Sequence, residues 1–298
     1  MENNPNDSAF DFATQHPFHQ SHWPKSIVDT GAYAGGDRLQ ISWDLGSVTE
    51  KEKKQTIKQW RAKLPEFQSI RWLSIWSHVT QPLFDAACQM RNLECLQIKW
   101  SNVKKLDAIE NMTALRYLHI GSSTKVESIQ PLASLSGLRL LELENFKAVT
   151  DFSPLLSLTG LASLVITGSM WTRQDVGSLA TYAQMTWLKS LAIDTTHVES
   201  LRPLANLKNL EFLDTGGKLP MEEYAWLAAK LPNTTCRWFE PYIDVASSGF
   251  SPCRKCNNKA AVILTGKRGS LLCGVCDKGK LQKQRDAFAA IKQRAMTE

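Results

Sequence analysis

Four of the seven cysteines form two pairs, Cys253-x-x-Cys256 and Cys273-x-x-Cys276, which sixteen residues separate. Each pair places two thiolates on one tight turn, where both can bind the same metal ion, and two such turns complete a tetrahedron. This pattern predicts one structural zinc ion, and the same thiolates could also hold iron. Because protein thiolates would fill every position around the ion, we expect no catalysis by the metal.

The residues around the cysteines predict a small module over residues 250–298. A β-hairpin is expected from 260–264 and 270–272 with its turn at 266–269, followed by an amphipathic helix over 281–296. This order resembles a treble-clef zinc module, and the stretch 272–276 is similar to the second knuckle of GATA-type fingers. The resemblance implies nucleic-acid contact only if basic side chains project from the helix and the hairpin tip.

The basic residues that would contact phosphates in that case are Lys267, Arg268, Lys278, Lys280, Lys283 and Arg285. Residues 251–298 hold eleven Lys and Arg against three Asp and Glu, a net charge of +8 within a total of +6. Such a charge favours a polyanion or an acidic protein as partner. A solvated helix face, or a module that only docks on protein, is the alternative.

An apolar signature with the spacing L-x-x-L-x-L recurs seven times between Ile70 and Thr215. The first residues of successive copies are 23, 22, 23, 23, 27 and 22 positions apart, which is typical of a solenoid of short repeats. Between copies a Pro-Leu pair recurs, as at 131–132, 154–155 and 203–204, and predicts short helical return segments. Each repeat can bury its apolar edge only against its neighbours.

These residues resemble the short leucine-rich repeats of internalins and of the leucine-rich phosphatase regulators. The resemblance implies an α/β solenoid, a leucine-rich-repeat horseshoe with parallel β-strands on its concave face. Together with the cysteine module, it suggests a bacterial cytoplasmic leucine-rich-repeat protein. It implies little about function, because such scaffolds host many partners.

The repeats also need ends that cover the exposed apolar edges. Residues 1–36 lack periodicity and predict a flexible N-terminal tail, and 37–69 predict a cap with a strand near 38–43 and a helix near 50–64, where Thr49 and Glu52 form a capping box. The solenoid with its C-terminal cap should span 70–246, ending in a helix over 220–231 and a strand near 236–239. The lengthened repeat after Leu161 predicts a helix capped by Thr172.

In each predicted strand the residues between the leucines should point outward. This places aromatic and acidic side chains on the concave face, where Trp and Tyr often anchor partners. The predicted partner-binding residues are Trp72, Trp76, Gln97, Lys99, Tyr117, His119, Glu142, Glu144, Asp194, Phe212 and Asp214. Alternatively, the amino-terminal cap or tail could cover Trp72 and Trp76, which would then be ordinary core residues.

Catalysis is not expected, because the predicted face lacks a nucleophile, a base and an orienting group at repeat spacing. His16, His19 and His22 are spaced by three, but Pro17 and Pro24 break any helix that would align them on a metal. A solvated tail is therefore the simpler interpretation.

The composition favours a folded chain in a reducing compartment. Hydrophobic residues make up 43% of the 298 positions, and no apolar run approaches the ~20 residues that span a bilayer. Residues 1–20 are polar and lack the pattern of a secretory signal. With paired cysteines that suit a metal site better than disulfides, we expect the cytoplasm and no membrane contact.

These observations favour a non-enzymatic module that binds a partner protein through the concave face, as an adaptor, an inhibitor or an immunity-type protein. The alternative is a nucleic-acid-binding regulator that uses the basic C-terminal module. The first interpretation requires that the chain's own ends leave the concave face open.

Overall fold

Parallel strands follow one another in chain order through the repeat region. The computed structural model describes residues 16–43, 48–169 and 171–298, which divide into one unit ending at Gly177 and a second beginning at Ser178. The strands of the first unit are β1 (Arg38–Ile41), β2 (Trp72–Val79), β3 (Cys95–Ser101), β4 (Tyr117–Ile120), β5 (Leu140–Glu144) and β6 (Ser163–Thr167).

The repeat signature sets the register of these strands. Leu73 pairs with Leu96, which continues through Leu118 and Leu141 to Leu164, and all five are fully buried. Burial of one such side chain contributes roughly 1.5–3 kcal/mol. A parallel ladder of this kind confirms the predicted leucine-rich-repeat solenoid.

The return segments are short 3-10 turns, as the Pro-Leu pairs predict. Those of the first unit are Asp107–Asn111, Gln130–Ser134 and Ser153–Ser157. Pro131 and Pro154 lie in the first turn of two of them, where a missing N–H costs nothing. The first repeat instead returns through helix α2 (Gln81–Ala87), which the repeat pattern did not predict.

Helix α1 (Glu50–Lys63) begins with the predicted capping box. The Thr49 hydroxyl accepts from the Glu52 N–H, and the Glu52 carboxylate accepts from the Thr49 N–H at 2.8 Å. Trp60, the buried residue of this helix, donates its indole N–H to the Val28 carbonyl at 2.8 Å.

The structure differs from the predicted flexible tail from His16 onward. Residues 16–36 include 3-10 turns at Gln20–His22 and Thr30–Ala32, and Ile27 forms a parallel bridge with Ile41 of β1. Aromatic side chains in this stretch find apolar surface on the strands, which a composition-based prediction of disorder cannot detect. Residues 1–15 lie outside the described residues.

The lengthened repeat also departs from its prediction. Thr172 does not begin a helix; its hydroxyl donates to Asn145 Oδ1 at 2.8 Å and lies 2.7 Å from Ser169 Oγ. The insertion is therefore a loop fixed by polar side chains. Met170 of the predicted insertion lies outside the described residues.

The second unit begins with the last repeats. It contains α3 (Leu179–Tyr182), β7 (Ser190–Ile193), the return turn Arg202–Asn206, β8 (Phe212–Asp214) and α4 (Met221–Lys230). Strands β7 and β8 are parallel, with Leu191 beside Leu213. The predicted strand near 236–239 is instead one bridge from Phe212 to Thr235 and a 3-10 turn, Arg237–Phe239.

The cysteine module forms the rest of the second unit. Its antiparallel sheet contains β9 (Tyr242–Asp244), β10 (Ala261–Leu264) and β11 (Leu271–Cys273), in the order β11-β10-β9. Helix α5 (Lys278–Thr297) follows the second cysteine pair and contacts α4. There the Trp226 indole donates to Glu298 at 2.9 Å, and the Lys230 ammonium donates to the Ala295 carbonyl at 2.6 Å.

Within the described part of the chain, none of the helices has both the length and the apolar character that crossing a membrane demands.

Candidate functional site

The four cysteines of the module converge as their spacing predicts. The Sγ atoms of Cys253, Cys256, Cys273 and Cys276 all lie within 4.8 Å of one another. The Cys253–Cys276 distance is 3.9 Å, and the Cys256–Cys273 distance is 3.7 Å. Four thiolates about 2.3 Å from one tetrahedral ion would lie about 3.8 Å apart, so the cluster can hold a metal ion.

Backbone N–H groups favour the thiolate form in the first knuckle. The Lys255 N–H lowers the pKa of Cys253, and the Asn258 N–H lowers the pKa of Cys256 to about 6. At the second knuckle, the Asp277 carboxylate accepts from the Cys273 N–H at 3.0 Å. The sequence therefore supplies both the ligands and the hydrogen bonds that orient them.

The predicted phosphate-binding side chains differ in their availability. Lys267 and Arg268 at the hairpin tip are exposed, as are Lys278 and Lys283. Lys280 pairs with Asp277 at 3.3 Å, and the Arg285 guanidinium contacts both the ring and the hydroxyl of Tyr242.

On the first unit, the outward side chains form three rows across the strands. The first row contains Arg38, Trp72, Cys95, Tyr117, Leu140 and Ser163, and the second contains Gln40, Ser74, Gln97, His119, Glu142 and Val165. The third row lies nearer the carboxyl ends and contains Trp76, Lys99, Glu144 and Thr167. We call these three rows the strand face.

Residues 16–23, here called the covering segment, lie on the first row. Phe18 is 9% exposed and Trp23 is 7% exposed, and both cluster with Cys95 and Leu140. The rings of Trp23 and Tyr117 lie 5.7 and 5.8 Å from that of Trp72. Trp72 and Tyr117 are thus half-buried by the chain itself, which is the alternative considered for Trp72.

Polar contacts continue onto the second row. His16 Nε2 lies 3.0 Å from Glu142 Oε1, and His119 Nδ1 lies 3.8 Å from Glu142 Oε2. Gln97 is buried and accepts from Ser74 at 2.8 Å. In this arrangement, Gln97 is not available to an external partner.

Burial changes the acid–base chemistry of this row. It lowers the pKa of His119, although the Glu142 carboxylate partly opposes the change. In the first row, burial raises the pKa of the Cys95 thiol well above its usual value, so this thiol is a poor nucleophile.

The third row is outside the contacts of the covering segment described above. Lys99 is exposed, and its ammonium lies 4.0 Å from the centre of the Trp76 ring. Glu144 is half-buried, and burial together with the neighbouring Glu142 raises its pKa. This row presents an aromatic ring and both signs of charge.

In the second unit, the predicted face residues are all half-buried. Phe212 and Asp214 lie on β8, and Asp194 follows β7. The Asp194 carboxylate accepts from the Thr196 N–H at 2.9 Å, and that of Asp214 accepts from the Gly216 N–H at 3.1 Å. Both carboxylates therefore also hold the turn that follows their strand.

Comparisons with known proteins agree with the architecture only in outline. No family model and no curated protein matches this sequence. The structure of internalin C2 from Listeria monocytogenes is 25% identical, with a TM-score of 0.45 over 58% of this chain and 71% of that one. A Leptospira interrogans leucine-rich-repeat protein is 16% identical, with a TM-score of 0.49 over 71% of this chain and 52% of that one.

Because both TM-scores lie below 0.5, the fold assignment rests on the strand order, register and burial in this chain. The chain has a leucine-rich-repeat fold. Its strand face is the surface on which such a fold presents side chains from successive repeats.

Sequence reasoning missed two residues that cover this leucine-rich-repeat face and one in the loop beside it. Phe18 and Trp23 fall in a stretch without periodicity, and nothing in the sequence separates them from the other aromatic residues of the predicted tail. Trp171 is 87% exposed in the loop after β6, and the repeat-length irregularity was the signal for this position.

Proposed function

We propose that this chain is a non-enzymatic recognition protein that binds a partner polypeptide on the strand face of its first unit. One observation carries the proposal: the face already holds a stretch of polypeptide, the covering segment, through aromatic rings and the His16–Glu142 pair. A surface that binds one such segment has the chemistry to bind another.

The third row and the loop after β6 form the part of this surface that a partner can contact while the covering segment stays in place. Trp171 is exposed, and the bonds among Ser169, Thr172 and Asn145 hold its loop. Exposed tryptophans on ordered loops are frequent anchors in protein interfaces. Glu144 and Lys99 add charges that select the partner's orientation.

The test uses a partner captured from the source cell, identified by mass spectrometry and then purified. Glu144→Lys should weaken its binding by at least about tenfold, or about 1.4 kcal/mol, without lowering the melting temperature. Glu127→Lys is the matched control, because Glu127 is exposed in the stretch between β4 and β5. Equal binding by both variants would contradict the proposal.

We also propose that the metal of the cysteine cluster is zinc, with a structural role, and that the chain acts in the cytoplasm, where the thiols remain reduced. A metal held by four thiolates stabilises its module and has no position open for a substrate. An inhibitory, immunity-type role predicts that the captured partner loses its own activity when the chain binds it.

Nucleic-acid binding is the second candidate, and exposed cations such as Lys267, Arg268, Lys278 and Lys283 favour it. If these residues contact phosphates, the affinity of the full chain for DNA or RNA should fall steeply with salt concentration. Lys267→Glu together with Arg268→Glu should then reduce the salt dependence. Failure to shift nucleic acid at low salt would exclude this function.

A further inference from the structure

We infer that residues 16–23 are an internal ligand of the strand face and that the partner is a peptide segment with the same pattern. That pattern is an imidazole or cation, an aromatic side chain two positions later and a second aromatic five positions after that. This inference rests on the proposed function and specifies what binds there.

The covering segment contacts the face at three kinds of subsite. Phe18 lies 5.5 Å from the His119 ring, and Trp23 lies against Trp72, which also has the Arg38 guanidinium 4.2 Å from its centre. The third subsite is the Glu142 carboxylate, which pairs with His16. Aromatic anchors combined with a polar contact to a carboxylate are a common basis of peptide recognition.

Other side chains of the segment face solvent. His19, Gln20 and Ser21 are exposed between the two buried aromatics. Two side-chain contacts still hold this stretch to β1, because Arg38 donates to the His22 carbonyl at 2.7 Å and the Gln20 and Gln40 amides lie 3.2 Å apart. The segment therefore attaches through a few anchors and does not pair its backbone along the sheet. Binding of this kind can be reversed without breaking the fold.

The fit of the covering segment is also incomplete. Trp23 is buried, yet none of the described residues accepts a hydrogen bond from its indole N–H. A buried donor without an acceptor weakens binding. A partner segment that brings an acceptor to this position would bind more tightly than the chain's own residues.

The chain after the covering segment stays attached to the sheet, and this attachment should strongly favour rebinding of the segment. Ile27 pairs with Ile41 only four positions after Trp23, so the segment stays near the face even when it is released. A short tether gives an effective concentration on the order of millimolar. An external peptide must compete with the tethered segment for the same face. The segment can therefore regulate access to the face.

The experiment uses a fluorescent peptide of residues 16–25 and the full chain. The chain carrying Phe18→Ala and Trp23→Ala should bind this peptide at least about tenfold more tightly than the wild-type chain, because its internal competitor is weakened. A peptide with the same two substitutions should not bind, and Glu142→Gln in the double variant should reduce binding.

A second variant covers the case in which the double variant does not fold. A specific protease site placed between Lys25 and Ser26 leaves the Ile27 bridge intact when it is cut. After cleavage of the folded chain, the released fragment should exchange with the labelled peptide. A fragment that stays bound and never exchanges would show that residues 16–23 are permanent core.

Two further outcomes overturn the inference. Light scattering that detects a dimer joined by exchanged segments would assign the face to a second copy of the chain. A captured partner that binds without displacing the peptide would refute this inference while leaving the proposed function standing. Conversely, peptide binding with no effect of Glu144→Lys on partner binding would contradict the proposed function and leave the covering segment as a ligand of the strand face.

Discussion

At the scale of single residues, the covered part of the strand face has unusual acid–base chemistry because water is excluded from it. The His119 side chain is 17% exposed, with Glu142, His16 and Lys99 as the charged or titratable groups around it. Burial disfavours its charged form more than Glu142 favours it. The folded chain therefore holds His119 neutral at a pH where the unfolded chain would protonate it.

This difference predicts how stability depends on pH. The pKa of His119 in the folded chain lies below the unfolded value of about 6.5. As pH falls between these two pKa values, the unfolded chain binds more protons than the folded chain, so the free energy of unfolding falls. The contribution is at most about 1.4 kcal/mol per pH unit. His119→Gln should therefore lose less stability than the wild-type chain between pH 7 and pH 5 in urea titrations.

The exposed His197 provides the control for that measurement. His197→Gln should keep the wild-type dependence on pH. If His119→Gln also keeps it, the buried imidazole is not the source of the effect.

At the scale of elements, the inward side chains of the return turns fill the space behind the sheet. In the turn Ser153–Ser157, Leu155 is fully buried, whereas its neighbour Leu156 is only half-buried. The Phe152 carbonyl accepts from the Leu155 N–H at 3.1 Å and fixes which leucine points inward. A 3-10 turn thereby separates two identical side chains into different environments.

Substitution of these two leucines should have unequal effects. Leu155→Ala removes a buried side chain and leaves a cavity, so it should lower the free energy of unfolding by about 2–5 kcal/mol. Leu156→Ala is the matched control and should cost clearly less. Chemical denaturation of both variants gives the comparison, and equal losses would show that the turn has another orientation in solution.

At the scale of the whole molecule, the second unit joins the last repeats to the cysteine module through helices α4 and α5. The contact includes the Trp226–Glu298 and Lys230–Ala295 hydrogen bonds. The cysteine cluster lies immediately before α5 and orients its first turn, where Asp277 accepts from the Cys273 N–H. A small module of this size commonly depends on its metal for stability.

Removal of the metal should therefore loosen the second unit selectively. Treatment with a zinc chelator should accelerate amide hydrogen exchange in β10, β11 and α5, because the apo cluster no longer joins its two knuckles. Strands β3 to β5 of the first unit should keep their protection. Added zinc should restore the original exchange rates. Rates that do not change with the chelator would contradict a structural role for the metal.

Local spacing was enough to predict much of this protein. Outside the lengthened repeat, the leucines recur every 22 or 23 positions, and neighbouring strands pair in the corresponding register. The cysteine pairs, the capping box of α1 and the Pro-Leu turns were also predictable, because each depends on contacts within a few residues or between adjacent repeats. The lengthened repeat was recognised, but its conformation was not.

Only the tertiary structure decided what lies on the strand face. His16 pairs with Glu142 and Phe18 packs near His119, although about a hundred or more positions separate the partners in the sequence. Such contacts produce no repeated pattern in the sequence, because one segment makes each of them once and no other repeat makes an equivalent contact. Periodicity determines the scaffold, whereas the availability of its surface depends on the free energy of packing between distant, non-repeating residues.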